Sequence, residues 1–251
     1  LLRPGMQICD TPADLGRASA IVVLMVADTH AVDQVLFGNQ GLAQGLDAGD
    51  LVVDMGTTSV MATRDFAGRL SQAGVDFVDA PVSGGEIGAI DASLTIMAGG
   101  DDAVIARVRP LFDVLGQRFT HVGAVGAGQV AKAANQIIVG LNIGAVAEAL
   151  ALVKAAGVDP RKVRQALLGG FAGSRILEVH GQRMIDTAFQ AGARISTQYK
   201  DMRQACELGE LLGQPLPATR LSMSLFGQLI EQGDGDLDHS ALIRVLRQAD
   251  D

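Results

Sequence analysis

Hydrophobic and polar positions follow two different rhythms along this chain. In the first half, short continuous apolar runs recur: Ala20 to Val26 (AIVVLMV), Leu51 to Gly56 (LVVDMG) and Val75 to Val82 (VDFVDAPV). Such runs suit parallel strands buried on both faces, which need no polar alternation. Between them HAVDQVLFG and MATRDFAGRLSQAG show helical spacing and end at Gly38 and Gly74, which read as stop signals. Ser93 to Gly100 (SLTIMAGG) and Arg118 to Gly123 (RFTHVG) flank a further helical stretch, DDAVIARVRPLFDVLG. Strands alternating with helices of this length predict an open α/β sheet.

After Gly123 no strand-like run follows. The spacing predicts helices over 127–156, 160–168, 174–187, 199–212, 217–232 and 239–248, with Pro160, Pro215 and Pro217 marking breaks. Two domains are expected, an α/β part over 1–125 and an all-helical part over 126–251. The second is entered through one long helix, GAGQVAKAANQIIVGLNIGAVAEALALVKAAG, from Gly126 to Gly157. Apolar residues occupy most of its circumference, so it is expected to be largely buried.

Composition narrows the classes. Of 251 residues 48% are hydrophobic and 19% charged, a folded and not a disordered chain. A net charge of −8 with no basic run argues against nucleic acid as a partner. Nothing reads as a signal peptide. The long helix is interrupted by Lys132, Asn135, Gln136, Asn142 and Glu148, which argues against a membrane span. A cytoplasmic protein is expected. Cys9 and Cys206, and the four histidines, show no disulfide or metal-ligand spacing, so no metal is expected.

Five places are candidates for chemistry. Lys132 lies on the apolar helix one turn from Asn135, on the same face. A buried amine is disfavoured in its charged form and can exchange a proton with a substrate hydroxyl; the competing reading is a lysine that snorkels to solvent. Ser83, Gly84 and Gly85 follow the carboxyl end of a strand, where open α/β sheets bind ligands. There successive N–H groups and a hydroxyl suit an anion, although an ordinary turn would have the same residues. GAVGAG (Gly123 to Gly128) follows a strand and opens a helix, but its glycine spacing reverses the dinucleotide fingerprint, so it reads as a turn that lets the long helix pack closely. Asp28 or Thr29 reads as a helix N-cap, with His30 beside it, and Lys200 as a solvated lysine on a charged helix.

In order, VVLMV, VVDMGTT, DAPVSGG, GAGQVAKAANQ, GGFAGS, YKDMRQA and GDLDHSAL resemble the β-hydroxyacid dehydrogenase family over essentially the whole chain. That family includes 3-hydroxyisobutyrate dehydrogenase and 2-hydroxy-3-oxopropionate (tartronate semialdehyde) reductase. The resemblance implies a Rossmann-type, mostly parallel sheet followed by an all-α domain. It implies an oxidoreductase of short β-hydroxyacids or their semialdehydes that uses NAD or NADP, acts on a small carboxylate and forms a homo-oligomer, a dimer or tetramer. Lys132 then matches the catalytic lysine and Asn135 its partner. Ser83, Gly84 and Gly85 match the substrate-carboxylate loop; Met25, Val26, Thr57 and Lys200 match cofactor-binding positions. GGFAGSRIL and LDHSAL are most similar to the tartronate semialdehyde reductases.

Two departures stand out. Val26-Ala27 replaces the family's usual Leu-Pro, and the chain opens LLRPGMQICD, without the family's G-x-G-x-x-G turn. The Rossmann-type sheet is therefore expected to be incomplete, lacking its first βαβ unit and leaving AIVVLMV at an edge. The competing reading is a truncated, non-catalytic remnant that serves as a subunit or binding module. An imine reductase is disfavoured by the lysine at the proton-transfer position.

Overall fold

The apolar runs become strands, and the glycine-ended stretches become the helices that cover them. The structure, a computed structural model, describes residues 5–246. In chain order the first part comprises α1 (Pro12–Ala18), β1 (Ile21–Leu24), α2 (Thr29–Phe37), β2 (Leu51–Asp54), α3 (Val60–Ser71), β3 (Asp76–Asp79), β4 (Val82–Ser83), α4 (Gly85–Ile90), β5 (Leu94–Gly99), α5 (Asp102–Leu115) and β6 (Gly116–Gly123). A 3-10 turn over Leu42–Gln44 precedes β2. The apolar pattern does not predict α1; local chemistry makes it. Thr11 caps it by accepting from the Asp14 amide, and Pro12 sits in its first turn, where the missing N–H costs nothing. Asp28 caps α2 through the Ala31 amide, the bland reading of that site.

The sheet runs in the order β1-β2-β3-β5-β4, with β6 pairing β5. The pairs β1–β2, β2–β3 and β5–β6 are parallel; β3–β5 and β4–β5 are short antiparallel contacts. It is a mostly parallel sheet, as the sequence pattern predicts. β2 is buried on both faces. Val52 joins Val32, Leu36, Phe66 and Leu70 on one side, while Leu51 and Val53 join Ile105, Val108 and Phe112 on the other. β1 departs from its expected two-sided burial. Val22 and Leu24 are buried, but Ile21 and Val23 are exposed. The reason is topological: among the described residues β1 bonds only to β2, as an edge strand, and only its α2-facing side is covered.

The second part comprises α6 (Ala127–Ala155), α7 (Pro160–Leu168), α8 (Arg175–Asp186), α9 (Ile195–Leu211), α10 (Pro217–Glu231), a 3-10 turn over His239–Leu242 and α11 (Ile243–Leu246). Two expected boundaries shift. α9 starts four residues before the predicted position because its first amides find tertiary acceptors: Ile195 N–H donates to Leu237 O and Ser196 N–H to Gly235 O. The predicted helix over 239–248 opens instead as a 3-10 turn, and residues 247 and 248 lie outside the described range. The core of this part gathers Ile143, Ala147 and Leu150 of α6 with Leu177, Met184, Ile195, Met202, Phe226 and Leu229.

The chain divides into two compact units, Leu1–Lys132 and Ala133–Asp251, so the opening turns of α6 belong with the sheet. α6 corrects a further expectation. It is not buried all round; one stripe is buried (Gln129, Lys132, Gln136, Gly140, Ile143, Ala147, Leu150) and the opposite face is open. By length and composition it could cross a membrane, a test that the core helix of a soluble protein passes as well.

Candidate active site

In the first unit, the opening of α6 is anchored from the sheet. Asp79, the last residue of β3, is buried, and both its oxygens accept from the helix: Oδ1 from Gly126 N–H at 2.7 Å, Oδ2 from Gln129 N–H at 2.8 Å. This decides between the readings of GAVGAG. A helix N-terminus binds anions through such amides, and here a carboxylate of the protein already occupies them. The glycines serve close packing instead, since a Cβ on Gly128 would lie 2.4 Å from Met97 O and 2.7 Å from Asp79 O.

Gln129 extends the anchor. Its amide donates to Gly56 O at 2.9 Å and its oxygen accepts from Thr58 N–H at 3.1 Å. Asp54, at the end of β2, holds the same loop, accepting from Gly56 N–H at 2.9 Å and from the Thr58 hydroxyl at 2.6 Å. Burial first, and then the neighbouring Asp54 charge, raise the Asp79 carboxyl to about 6; the two amide bonds oppose the rise. Asp54, Asp79, Thr58 and Gln129 are not singled out by the sequence pattern. The one signal is that two acids stand at strand ends in otherwise apolar runs, DMG and DAP.

Lys132 lies three residues beyond Gln129. It is 8% exposed, and its Nζ donates to Val82 O at 2.7 Å. The snorkelling reading is therefore excluded: the amine turns inward, onto the backbone one residue before Ser83. Ser83 ends β4, paired with Thr95. Gly84 and Gly85 follow with φ of 138° and 63°, values that L side chains rarely adopt, and both are exposed. Glycine is required here by the backbone as well as suited to an anion.

Met25 and Val26 lie just past the carboxyl end of β1, Met25 exposed and Val26 half-buried. Met55 N–H donates to Leu24 O, which aligns the β2 end beside them, and Thr57 follows half-buried. A Cβ on Gly56 would lie 3.2 Å from Val26 O, so the two strand ends approach closely. Open sheets of this kind bind ligands beyond the carboxyl ends of their strands, where these positions lie. Met25, Val26 and Thr57 follow the ends of β1 and β2, Ser83 ends β4, and Lys132 reaches Val82 O beside Ser83.

In the second unit, Asn135 donates to Gln136 Oε1 at 2.7 Å, and Gln136 donates to Asp201 Oδ2 at 2.6 Å. Lys200 pairs with Asp201 Oδ1 at 3.0 Å and is 18% exposed on its side chain. The reading of Lys200 as a solvated lysine is corrected: a buried carboxylate draws it in. Among the described residues, one cluster has metal-ligand composition: His180, Asp238 and His239. The histidine spacing does not announce it, because α8 and the 3-10 turn bring the rings together only in the fold. Its carboxylate is already saturated by Arg183, Gly192 N–H, Ala193 N–H and both donors of Ser240. The two imidazole Nε2 atoms share a hydrogen bond of 3.1 Å. This is a polar latch with no lone pair of Asp238 to spare.

A mostly parallel sheet with helices on both faces, followed by an all-helical unit, is an architecture that dinucleotide-dependent oxidoreductases use. Comparison with known proteins narrows this. Residues 1–123 match the NAD binding domain of 6-phosphogluconate dehydrogenase, and residues 126–246 the NAD-binding domain of NADP-dependent 3-hydroxyisobutyrate dehydrogenase. The chain is 48% identical over 246 residues to 2-hydroxy-3-oxopropionate reductase of Escherichia coli, covering 98% of this chain and 84% of that protein. It is 33% identical to 2-(hydroxymethyl)glutarate dehydrogenase of Eubacterium barkeri, over 97% of this chain and 81% of the relative. A solved 3-hydroxyisobutyrate dehydrogenase from Salmonella typhimurium superposes with a TM-score of 0.85 at 27% identity, over 94% of this chain and 82% of that one. The chain belongs to the β-hydroxyacid dehydrogenase family, the NAD(P)-dependent oxidoreductases of short hydroxyacids.

Proposed function

We propose that this protein interconverts 2-hydroxy-3-oxopropionate, through its C3 aldehyde, and the corresponding 2,3-dihydroxypropanoate with NAD or NADP, Lys132 serving as general acid and base. The observation that carries the reading is the inward Lys132 amine, 2.7 Å from Val82 O and next to the Ser83–Gly85 loop. A carboxylate bound by the Ser83 hydroxyl and the exposed Gly84 and Gly85 amides would place its β-carbon near that amine. When bound, the nicotinamide supplies or accepts the hydride. During oxidation Lys132 takes the hydroxyl proton; during reduction it returns the proton to the carbonyl oxygen. Asn135 is proposed to orient the hydroxyl or the amine, and Met25, Val26, Thr57 and Lys200 to hold the cofactor. The 48% identity to a 2-hydroxy-3-oxopropionate reductase supports this substrate over 3-hydroxyisobutyrate, which the likeness to the Salmonella structure keeps as the second reading.

The two family matches, over 1–123 and 126–246, support a division near 125/126; the first part is proposed to bind the cofactor and the helical part to serve the substrate and assembly. A homo-oligomer is proposed on a separate observation. Ile138, Ala145 and Leu152, spaced by seven on α6, are exposed, Ile138 at 64% and Leu152 at 71%. An apolar stripe at heptad spacing suits a second helix of the same kind. Two free thiols fit a reducing, cytoplasmic compartment.

Lys132→Ala tests the central claim. The turnover number for 2-hydroxy-3-oxopropionate should fall by about 10²- to 10⁴-fold, the usual worth of general acid–base catalysis. Cofactor binding, followed by calorimetric titration with NADH and NADPH, should persist. Near-normal turnover by the variant would overturn the role of Lys132, and a wild-type protein inert towards every β-hydroxyacid would return the remnant reading.

A further inference from the structure

Lys132 is the residue of α6 proposed to move the proton, and its amine is held by Val82 O. The position of the helix that carries it is decided one turn earlier. The segment from Asp79 to Val82 is fixed to the sheet on both sides: Ala80 N–H donates to Asp54 O at 2.7 Å, and Pro81 O accepts from Met97 N–H at 3.0 Å. From this fixed segment two contacts reach α6. The Asp79 carboxylate grips the first turn through Gly126 N–H and Gln129 N–H, and Val82 O receives the Lys132 amine. Gly128 lies flat against the same strand ends, so the helix has no room to slide inward.

We propose that Asp79 is a positioning residue for the proton-transferring amine: by holding the first turn of α6, it sets where Lys132 Nζ stands relative to Ser83. This rests on the reading of Lys132 given above. A carboxylate is specifically suited to the task. It offers one acceptor oxygen to each of two N–H donors, whereas the isosteric amide offers one oxygen and turns an NH₂ towards the other donor. Gln129 supports Asp79 from the far side, tying the same turn to the Gly56–Thr58 loop at the end of β2.

The test is Asp79→Asn with two readouts. The chain has four lysines, at 132, 154, 162 and 200, so a ¹³Cε-lysine NMR spectrum is sparse, and Lys132→Arg assigns the signal of interest. In Asp79→Asn the Lys132 signal should move, while those of Lys154 and Lys162 stay. In steady-state kinetics kcat should fall by about 10- to 100-fold, the scale of a small misplacement of a reacting group, with KM changed by less than about threefold. An unmoved Lys132 signal, or a KM that rises as far as kcat falls, overturns the proposal. If the wild-type protein turns over no hydroxyacid, the proposed function fails, and the Lys132 signal alone decides the positioning role. Should Asp79→Asn not fold, Asp79→Glu keeps the charge but lengthens the side chain by one methylene. The same displacement of the Lys132 signal is then expected, and its absence counts equally against the proposal.

Discussion

At Asp79 two effects on one carboxylate oppose each other. Burial disfavours its charge, while two helix amides favour it, and the carboxyl ends at about 6 against an ordinary 3.8. A raised acid has a definite sign. Between about 4 and 6 the native state keeps a proton that the unfolded chain has released, so this group's contribution to stability falls as pH rises through that window. A shift of about two units corresponds to about 3 kcal/mol. Urea unfolding of wild type and Asp79→Asn from pH 4 to 7 should therefore show wild type losing ground to the variant as pH rises; parallel curves would contradict the shift. Ser83 makes the complementary case. Ser83→Ala should raise KM for carboxylate substrates by the worth of a bond to a charged group, about 1–3 kcal/mol, and leave an analogue without the carboxylate almost unaffected. Of these residues Ser83 and Lys132 were legible in the sequence, because a loop glycine pair and a charge on an apolar helix are local anomalies. Asp79 was not, since its partners lie 47 and 50 residues away.

Among the elements, α6 and the latch between α8 and the following 3-10 turn carry the clearest tests. Gly128→Ala places a Cβ 2.4 Å from the Met97 carbonyl oxygen, a backbone atom that cannot swing aside. The helix must lift, at a cost of about 1–3 kcal/mol or more, seen as a lowered unfolding midpoint. The latch predicts a pH dependence of opposite sign to that of Asp79. Burial of His239, with the His180 and Arg183 charges nearby and Asp238 opposing them, lowers its pKa from 6.5 to about 4. As pH falls from about 6.5 to about 4, the unfolded chain takes up a proton that native His239 refuses, and stability is lost, by about 3 kcal/mol over the window. His239→Gln should flatten that slope in a thermal-unfolding series; an unchanged slope would show that His239 does not titrate low. Helix ends followed local signals where a local cap exists, as at Asp28 and Asp159. They departed where the cap comes from elsewhere in the fold, as at Ile195.

For the molecule as a whole, the open face of α6 is the feature that a single chain does not explain. Sedimentation should give a mass that is a multiple of 26.0 kDa. Replacing both Ile138 and Leu152 by glutamate should shift the distribution towards the monomer, since like charges would face each other across a helix pair. A wild-type monomer at micromolar concentration would remove this face as an assembly surface.

Periodicity by itself determined the α/β-then-helical order, the place of most helices and the parallel strands, because these depend on neighbours within one or two turns. The run AIVVLMV shows its limit. Its composition was that of a strand covered on both faces, whereas the edge expected from the family resemblance is what the sheet order shows, with Ile21 and Val23 exposed. The family resemblance supplied roles for Lys132, Ser83 and Lys200 that spacing left open. Tertiary structure alone decided that the helix N-terminus at Gly126 is filled by a carboxylate, that Lys132 turns inward to Val82, and that two distant histidines meet. Each of these depends on burial and on partners far apart in the chain, and neither is written in local sequence.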